Sequence, residues 1–475
     1  MHENLLDTSG IAFIGIYLAS LLAIGWLANR ARKENSLKDY YLAGSSLGSV
    51  SLFFTLYATQ YSGNTLFAIP GNAYRNGFVG LNVAAAVMFI VVVYFLFAGR
   101  LNELAKKHGF VSVGDFITWR YDHKPLLIAV NIIGIITLVS YALGNFKAIG
   151  LLMETATGGI IPFAMGIIIL GFVMAVYESL GGLRGVIWTD IIQGTLLFLG
   201  CILLFFAVLQ LGPANGSQAL TDGFTKYFSS GFQPASFFSV VFLVGIGAAV
   251  YPQAVQRIYI AKDARTLQRS YYALFFMPLL TTVPMILVGV MVADWIPGLD
   301  AQQSENVVIF AVGEIAQAYP AVSWLLILYL GAAVAAIMST IDSALLSLGS
   351  TIIKDFWANR DNSREVDLHR ASRTTSWVLM AVIATLAIVL PQTIWALMIF
   401  KFELLIQIAP AIIIGVRNPT VSSQSVLFGL IVGCAVAVLL KLSGYTSYNI
   451  SAPLGIHAGL WGLGANLFGV VLWRK

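Results

Sequence analysis

Long apolar runs alternate along this chain with short polar links, and most runs exceed what a helix in a water-soluble core needs. About 20 predominantly apolar residues suffice to cross the hydrocarbon layer of a bilayer. On that criterion the pattern predicts about thirteen spans, near 10–29, 46–72, 78–98, 125–153, 159–179, 185–211, 236–259, 266–295, 322–353, 372–390, 392–416, 422–443 and 454–473. The links are too short for a soluble catalytic domain; the longest, 212–235 and 297–321, fall on the outer side if the spans alternate. The segment Leu101 to Tyr121 is weakly amphipathic and is expected either to lie along the interface or to form an ordinary loop. The opening MHENLLDTSG is acidic and the basic residues follow the first run, the reverse of a secretory signal peptide, so that run is expected to stay as a span.

Polar residues interrupt three of these spans. The second reads LYATQYSGNTLFAIPG, with Thr59, Gln60, Ser62, Gly63, Asn64 and Thr65 at its centre and Pro70-Gly71 at its close. A glycine weakens a helix by about 1 kcal/mol relative to alanine, so this centre can unwind. Unwound backbone at membrane depth survives only when buried in protein or lining a cavity, where its carbonyls become hard oxygen ligands. The other reading is interhelical hydrogen bonding with no ion. The seventh span, FLVGIGAAVYPQAVQR, carries a second expected break at Gly245, Gly247 and Pro252, five spans later and running the opposite way. Two sets of five spans, each led by an interrupted helix, are the footprint of an inverted repeat with a mid-bilayer site; a simple proline kink is the alternative.

The ninth span, Val322 to about Lys354, is the longest and holds a polar cluster at its middle. Ala336, Ser339, Thr340 and Ser343 lie three or four apart and share one face. Their hydroxyls offer oxygen without charge, which suits a desolvated monovalent cation, unless each bonds back to a carbonyl one turn earlier. Asp342 stands beside them, and a carboxylate at helix centre costs about 2.5–3.5 kcal/mol on insertion scales, so a partner for it is expected. Asp190 opens the sixth span close to the cytoplasmic side, where solvation alone would satisfy it. Lys147 is expected either to snorkel outward or to neutralise an anionic substrate. Lys401 and Glu403, two apart, do not face each other and take no role.

Composition agrees with the pattern. Of 475 residues 58% are hydrophobic and 10% charged, against about 25% charged in soluble chains. The net charge of +5 is topogenic rather than nucleic-acid binding. Arg30, Arg32, Lys33 and Lys38, then Arg100, Lys106, Lys107, Arg120 and Lys124, then Arg184, Arg257, Lys262, Arg265 and Arg269 fall on one side if the spans alternate. Lys354, Arg360, Arg364, Arg370, Arg373, Arg417, Arg474 and Lys475 join them, leaving Arg75, Lys226 and Lys441 on the other. The positive-inside rule then puts the N-terminus outside and the C-terminus in the cytoplasm, for a protein of the plasma membrane. Cys201 and Cys434 sit in apolar runs, outside any metal or redox spacing. No G-x-x-x-x-G-K-[ST] loop occurs, so nucleotide hydrolysis is not the expected power source.

Several motifs, in order, resemble the sodium:solute symporter family, whose members include proline, pantothenate, monocarboxylate, iodide and sugar symporters. They are DYYLAGSSLG (39–48), SGNTLFAIPG (62–71), VSVGDFITWRY (111–121), GGLRGVIWTDIIQG (181–194), YPQAVQR and AAIMSTIDS. The resemblance implies an all-α polytopic protein of about thirteen helices with a five-plus-five, LeuT-like inverted-repeat core. Its parts would be 1–38 (first helix and link), 39–211 and 212–418 (the repeats) and 419–475 (two peripheral helices), within one transporter domain, 1–475. It further implies a sodium ion held by the carbonyls of Ala58, Tyr61 and Ala336 and the hydroxyls of Ser339 and Thr340. Asp190 would assist ion entry or, with Asp342 and Ser343, a second ion. Substrate would contact Gln60, Asn64, Thr65, Tyr251 and Gln253. Two positions depart from the proline permeases, which carry aspartate at 60 and serine at 342; the run STIIKD resembles the pantothenate permeases but lies away from the cavity.

The function expected from this reading is sodium-coupled symport of a small polar or anionic metabolite, with sodium and the lipid bilayer as partners and no organic cofactor, nucleic acid or obligate protein partner. Proton coupling on the same fold and a non-transporting nutrient sensor are the alternatives. A passive channel lacks a pore loop or ring of charges, and a membrane enzyme lacks any nucleophile–base or metal-ligand spacing.

Overall fold

The uninterrupted apolar runs form helices, and the interrupted ones break where polar residues offer the backbone other partners. A computed structural model describes residues 8–31, 36–213, 216–228, 232–357, 365–390, 394–443 and 453–472. Arg32, Lys33, Arg360, Arg364, Arg474 and Lys475 lie outside the described residues. In chain order the helices are α1 (Thr8–Arg30), α2 (Leu37–Leu42), α3 (Ser49–Gln60), α4 (Gly63–Leu66), α5 (Ala68–Asn76), α6 (Leu81–His108) and α7 (Val113–Tyr121). Then come α8 (Lys124–Ala156), α9 (Phe163–Leu211), α10 (Gly216–Lys226), α11 (Pro234–Ala249), α12 (Pro252–Ile260), α13 (Ala264–Leu280) and α14 (Thr282–Trp295). The set closes with α15 (Val307–Ala318), α16 (Trp324–Ser350), α17 (Glu365–Val389), α18 (Ile394–Leu405), α19 (Gly415–Arg417), α20 (Ser423–Leu442) and α21 (Ala458–Leu472). The β contact among the described residues is an isolated bridge between Leu47 and Ala261.

Among the described residues nine helical stretches are long and apolar enough to cross a bilayer, ten if the pair α11–α12, bent by 53°, counts as one span. The difference from thirteen lies in the joints. The second half of the broken second span runs on into α6, the expected fifth and sixth spans form the 49-residue α9, and α21 has only 15 residues. Inside α9 the backbone leaves the helix at Gly182 (φ 55°, ψ −154°). A Cβ there would stand 2.8 Å from the carbonyl oxygen of Tyr40, so only glycine serves both the left-handed backbone and the close approach.

The segment expected to lie along the interface behaves otherwise. Leu101 to His108 prolong α6, which Gly109 ends in a left-handed cap, and α7 starts afresh from a capping box between Ser112 and Asp115. Val113, Phe116, Ile117 and Tyr121 of α7 are buried against the bundle. Pro70 and Gly71 likewise do not close a span; they lie in the first turns of α5, where a proline costs no helical hydrogen bond.

The helix at the centre of the sequence pattern is central in space. From Tyr329 to Ser350 every side chain of α16 is buried, and the helix packs on α8, α9, α3, α4 and α12. α1 lies outside α9, and α20 and α21 pair with each other at the periphery. Several of the basic residues expected on one side meet at one end. Arg184 pairs with Asp39 at 2.6 Å, Arg120 donates to the carbonyls of Gly415 and Asn418, Arg100 to that of Val416, and Lys106 to that of Ser45. Arg75 caps the opposite end through the carbonyl of Ala301, at 2.9 Å.

Candidate functional site

The break in the second span is made by competition for backbone hydrogen bonds. In an unbroken helix the carbonyls of Ala58, Thr59, Gln60 and Tyr61 would accept from the amides four residues on. Here the Gly63 amide donates to Asn145 Oδ1 (3.1 Å), the Asn64 amide to Ser62 Oγ (3.2 Å) and the Thr65 amide to the Ser62 carbonyl (2.8 Å). Tyr61 and Ser62 are extended (φ −99° and −116°) and α4 restarts under the Ser62 cap. The last-turn carbonyls of α3 are thereby released into the protein interior.

Two of the freed carbonyls find hydroxyls on other helices. Ser339 Oγ lies 3.0 Å from the Ala58 carbonyl oxygen, and Tyr141 Oη lies 3.4 Å from that of Thr59. Ser339 and Thr340 also reach the Ala336 carbonyl at 3.1 and 2.9 Å, so the back-bonding alternative and the convergence on α3 coexist. Ala58, Ala336, Ser339 and Thr340 therefore gather around one point, fully buried and free of carboxylates in their hydrogen bonds. Tyr61 stands at the break itself, its amide closing the last turn of α3 on Tyr57. Gly63 allows the approach: a Cβ on it would lie 2.6 Å from Ile337 of α16.

A second polar cluster lies beside the first. Thr55 Oγ1 donates to Asp190 Oδ2 at 2.5 Å, Thr59 Oγ1 and Ser343 Oγ are 3.2 Å apart, and Tyr177 hydrogen-bonds Asp342. Asp190, expected near a solvated interface, is instead wholly buried. At its centre is Arg257, counted from sequence among the cytoplasmic loop cations. Its guanidinium donates to Ser343 Oγ at 2.6 Å and stands 3.9 Å from Asp190 Oδ2, with no exposed surface. Arg257 sits on α12, which packs on α3 and α16 after the Val250–Tyr251 break. No sequence signal separates such an arginine from one just past a span end.

The five residues expected at the substrate, Gln60, Asn64, Thr65, Tyr251 and Gln253, line one cavity of about 90 Å³ together with Ser62, Tyr141 and Lys401. The Tyr251 hydroxyl is already engaged, donating to the Thr137 carbonyl at 2.8 Å, so that residue offers its ring. Gln60 Nε2 and Gln253 Oε1 are buried without a protein partner among the described residues. Lys147 does not snorkel: its side chain is buried and its ammonium caps the Leu390 carbonyl at the end of α17. Lys401, given no role from sequence, is a lining residue of this cavity, while Glu403 turns away to pair with Lys441 at 3.0 Å.

The relatives of this chain are membrane transporters. It is 27% identical over 479 residues to a sodium/pantothenate symporter of Escherichia coli (strain K12), covering 95% of each chain. It is 25% identical to the osmoregulated proline transporter OpuE of Bacillus subtilis (strain 168), over 91% of this chain and 89% of that one. Among solved structures, the substrate-bound outward-open state of a Na+-coupled sialic acid symporter superposes with a TM-score of 0.79 at 17% identity, covering 98% of this chain and 97% of that one. MhsT in complex with L-phenylalanine follows at a TM-score of 0.54 and 15% identity, over 90% and 98%. These likenesses establish an all-α, LeuT-like architecture. The model of the sodium:solute symporter family matches residues 40–433, and on that match the chain belongs to the sodium:solute symporter family.

Proposed function

We propose that this protein is a secondary active symporter in which one sodium ion binds among neutral oxygens between the α3 break and α16, and a small metabolite binds in the adjoining cavity. The observation that carries the reading is the 3.0 Å approach of Ser339 Oγ to the released Ala58 carbonyl, with Thr340 and Ala336 alongside. Neutral oxygens suit a monovalent ion that must shed its water, bind and then leave. The carbonyls of Ala58, Tyr61 and Ala336 and the hydroxyls of Ser339 and Thr340 are assigned as its ligands. An ion there ties the broken helix to α16 and stabilises whichever state brings the two together, by its differential affinity for that state.

In this reading Asp190, Asp342 and Ser343 form a second cation region, which Arg257 already occupies in part. The two halves 39–211 and 212–418 form the inverted repeats, with the N-terminus outside and the C-terminus in the cytoplasm. The substrate is left to Gln60, Asn64, Thr65, Tyr251 and Gln253. The similarity to pantothenate and proline symporters supports a carboxylate-bearing solute.

Uptake into proteoliposomes under an imposed sodium gradient tests the reading. Thr340→Ala is expected to raise the half-saturating sodium concentration about tenfold or more while leaving the protein folded, which corresponds to about 1.4 kcal/mol of lost ion binding. Unchanged sodium activation in that variant would argue against the site. Proton coupling is the second reading, favoured by the buried Asp342 with Tyr177 as its partner and its other oxygen unpaired among the described residues. Accumulation driven by a pH gradient in sodium-free buffer would select it.

A further inference from the structure

Lys401 is a basic side chain that neither ion region uses. The side chain, on α18, is 2% exposed, and none of the ion pairs among the described residues includes it. The nearby acid in sequence, Glu403, is held by Lys441 on the other side of the helix. The deep aspartates are engaged by Thr55, Arg257 and Tyr177. Instead, Lys401 Nζ lies 3.4 Å from the centre of the Tyr141 ring, 4.9 Å from that of Phe402 and 5.9 Å from that of Tyr251. Aromatic faces attract a cation without neutralising it. An ammonium kept from water without a counter-ion is a standing cost, relieved when an anion arrives.

The cavity that Lys401 lines says what kind of anion. Gln60 Nε2, a buried donor without a hydrogen-bond partner among the described residues, opens on the same space, and a carboxylate has two oxygens to accept from two donors. Much of the remaining wall is hydrocarbon, from Leu56, Ile69, Val83, Val87 and Ile90. A second negative charge would find hydrocarbon on that wall and only uncharged polar groups elsewhere, among them Ser62, Asn64, Thr65 and Gln253. The cavity of about 90 Å³ suits a small solute.

We infer that Lys401 is the carboxylate receptor of the transport site, and that the substrate is a small monocarboxylate with an aliphatic body, its charge seated between Lys401 and the Gln60 amide. This deepens the sodium-symport reading and rests on it. A site built around a paired charge rejects an analogue that leaves the charge unpaired. Neutral amides of the same shape and dicarboxylates are both excluded on that ground.

The test uses the full-length protein in proteoliposomes with an inward sodium gradient. Radiolabelled acetate, pyruvate, L-lactate and L-proline are offered, with acetamide, lactamide, succinate and galactose as unlabelled competitors. At least one monocarboxylate is expected to accumulate, and none of the four competitors to inhibit it. Lys401→Gln is expected to raise its KM at least tenfold with a smaller effect on maximal rate, and Lys401→Arg to recover part of the loss. Sodium-induced thermal stabilisation, measured without any solute, should be the same in Lys401→Gln and wild type, which shows that the variant folds and keeps its ion site. The inference is overturned if galactose is carried or competes, if the KM of Lys401→Gln is unchanged, or if no monocarboxylate accumulates in protein that sodium stabilises. Absence of any sodium stabilisation in the wild type overturns the sodium reading itself.

Discussion

Gly63→Ala puts the smallest possible group into the joint between the broken helix and α16. The added Cβ would meet Ile337 Cγ1 at 2.6 Å, Asn145 Oδ1 at 3.1 Å and Ala148 Cβ at 3.4 Å. Contacts below 3.0 Å force movement. Ile337 is β-branched on a helix and wholly buried, so its χ1 has little freedom to turn away. Asn145 is fixed from both sides, donating to the Tyr141 carbonyl at 2.9 Å while accepting from the Gly63 amide. What yields is therefore α4 and the end of α3, which carry the carbonyls of Ala58 to Tyr61 away from Ser339 and Thr340. Overpacking of this kind costs about 1–3 kcal/mol. If that strain falls mainly on the sodium-bound arrangement, sodium affinity drops roughly 5- to 150-fold. The assay is sodium-dependent thermal stabilisation of purified protein, titrated from sodium-free buffer, with Gly464→Ala as control because nothing lies within 4 Å of its added Cβ. Wild-type sodium affinity in Gly63→Ala would refute the reasoning that this contact sets the ion geometry.

Two further outcomes are expected. Arg257→Gln leaves the wholly buried Asp190 without its cation, and breaking a buried pair this way typically costs about 3–5 kcal/mol; the double variant Arg257→Gln/Asp190→Asn should regain stability, and additive losses in thermal denaturation would contradict the pairing. Asp263, ahead of α13, accepts from the Thr266 amide at 2.7 Å, and these hydrogen bonds, with Lys262 beside it, hold its carboxyl below the ordinary aspartate range. Its contribution is therefore present above the unfolded value of about 3.9 and lost as pH falls through the folded one. Asp263→Asn should flatten the acid limb of thermal stability below about pH 4, and an unchanged limb would count against the cap.

Much of the fold and part of the site were legible because membrane helices leave few reasons for polar residues or glycine in a span. The polar run 59–65 marked the break, and the 3–4 spacing of 336, 339, 340 and 343 marked the face of α16 that meets it. Gly181-Gly182 separated the two expected spans that α9 joins. The buried cations were not legible. Arg257 sits near a span end, where such a residue elsewhere faces water, whereas Lys401 lies inside the expected span 392–416 with no partner nearby in sequence; what surrounds each is packing by helices far away in sequence: α3 and α16 over Arg257, and Tyr141 of α8 over Lys401. Asp190 was misplaced for the same reason. A one-dimensional pattern gives distance from a span end, whereas burial depends on the helices packed around that end, as α3 and α16 are around α12.

The most direct measurement is equilibrium binding of radioactive sodium to the purified full-length protein, comparing wild type with Ser339→Ala/Thr340→Ala. The account predicts saturable binding in the wild type and its loss in the double variant, with the fold intact by thermal denaturation. Undiminished sodium binding in that variant would contradict it.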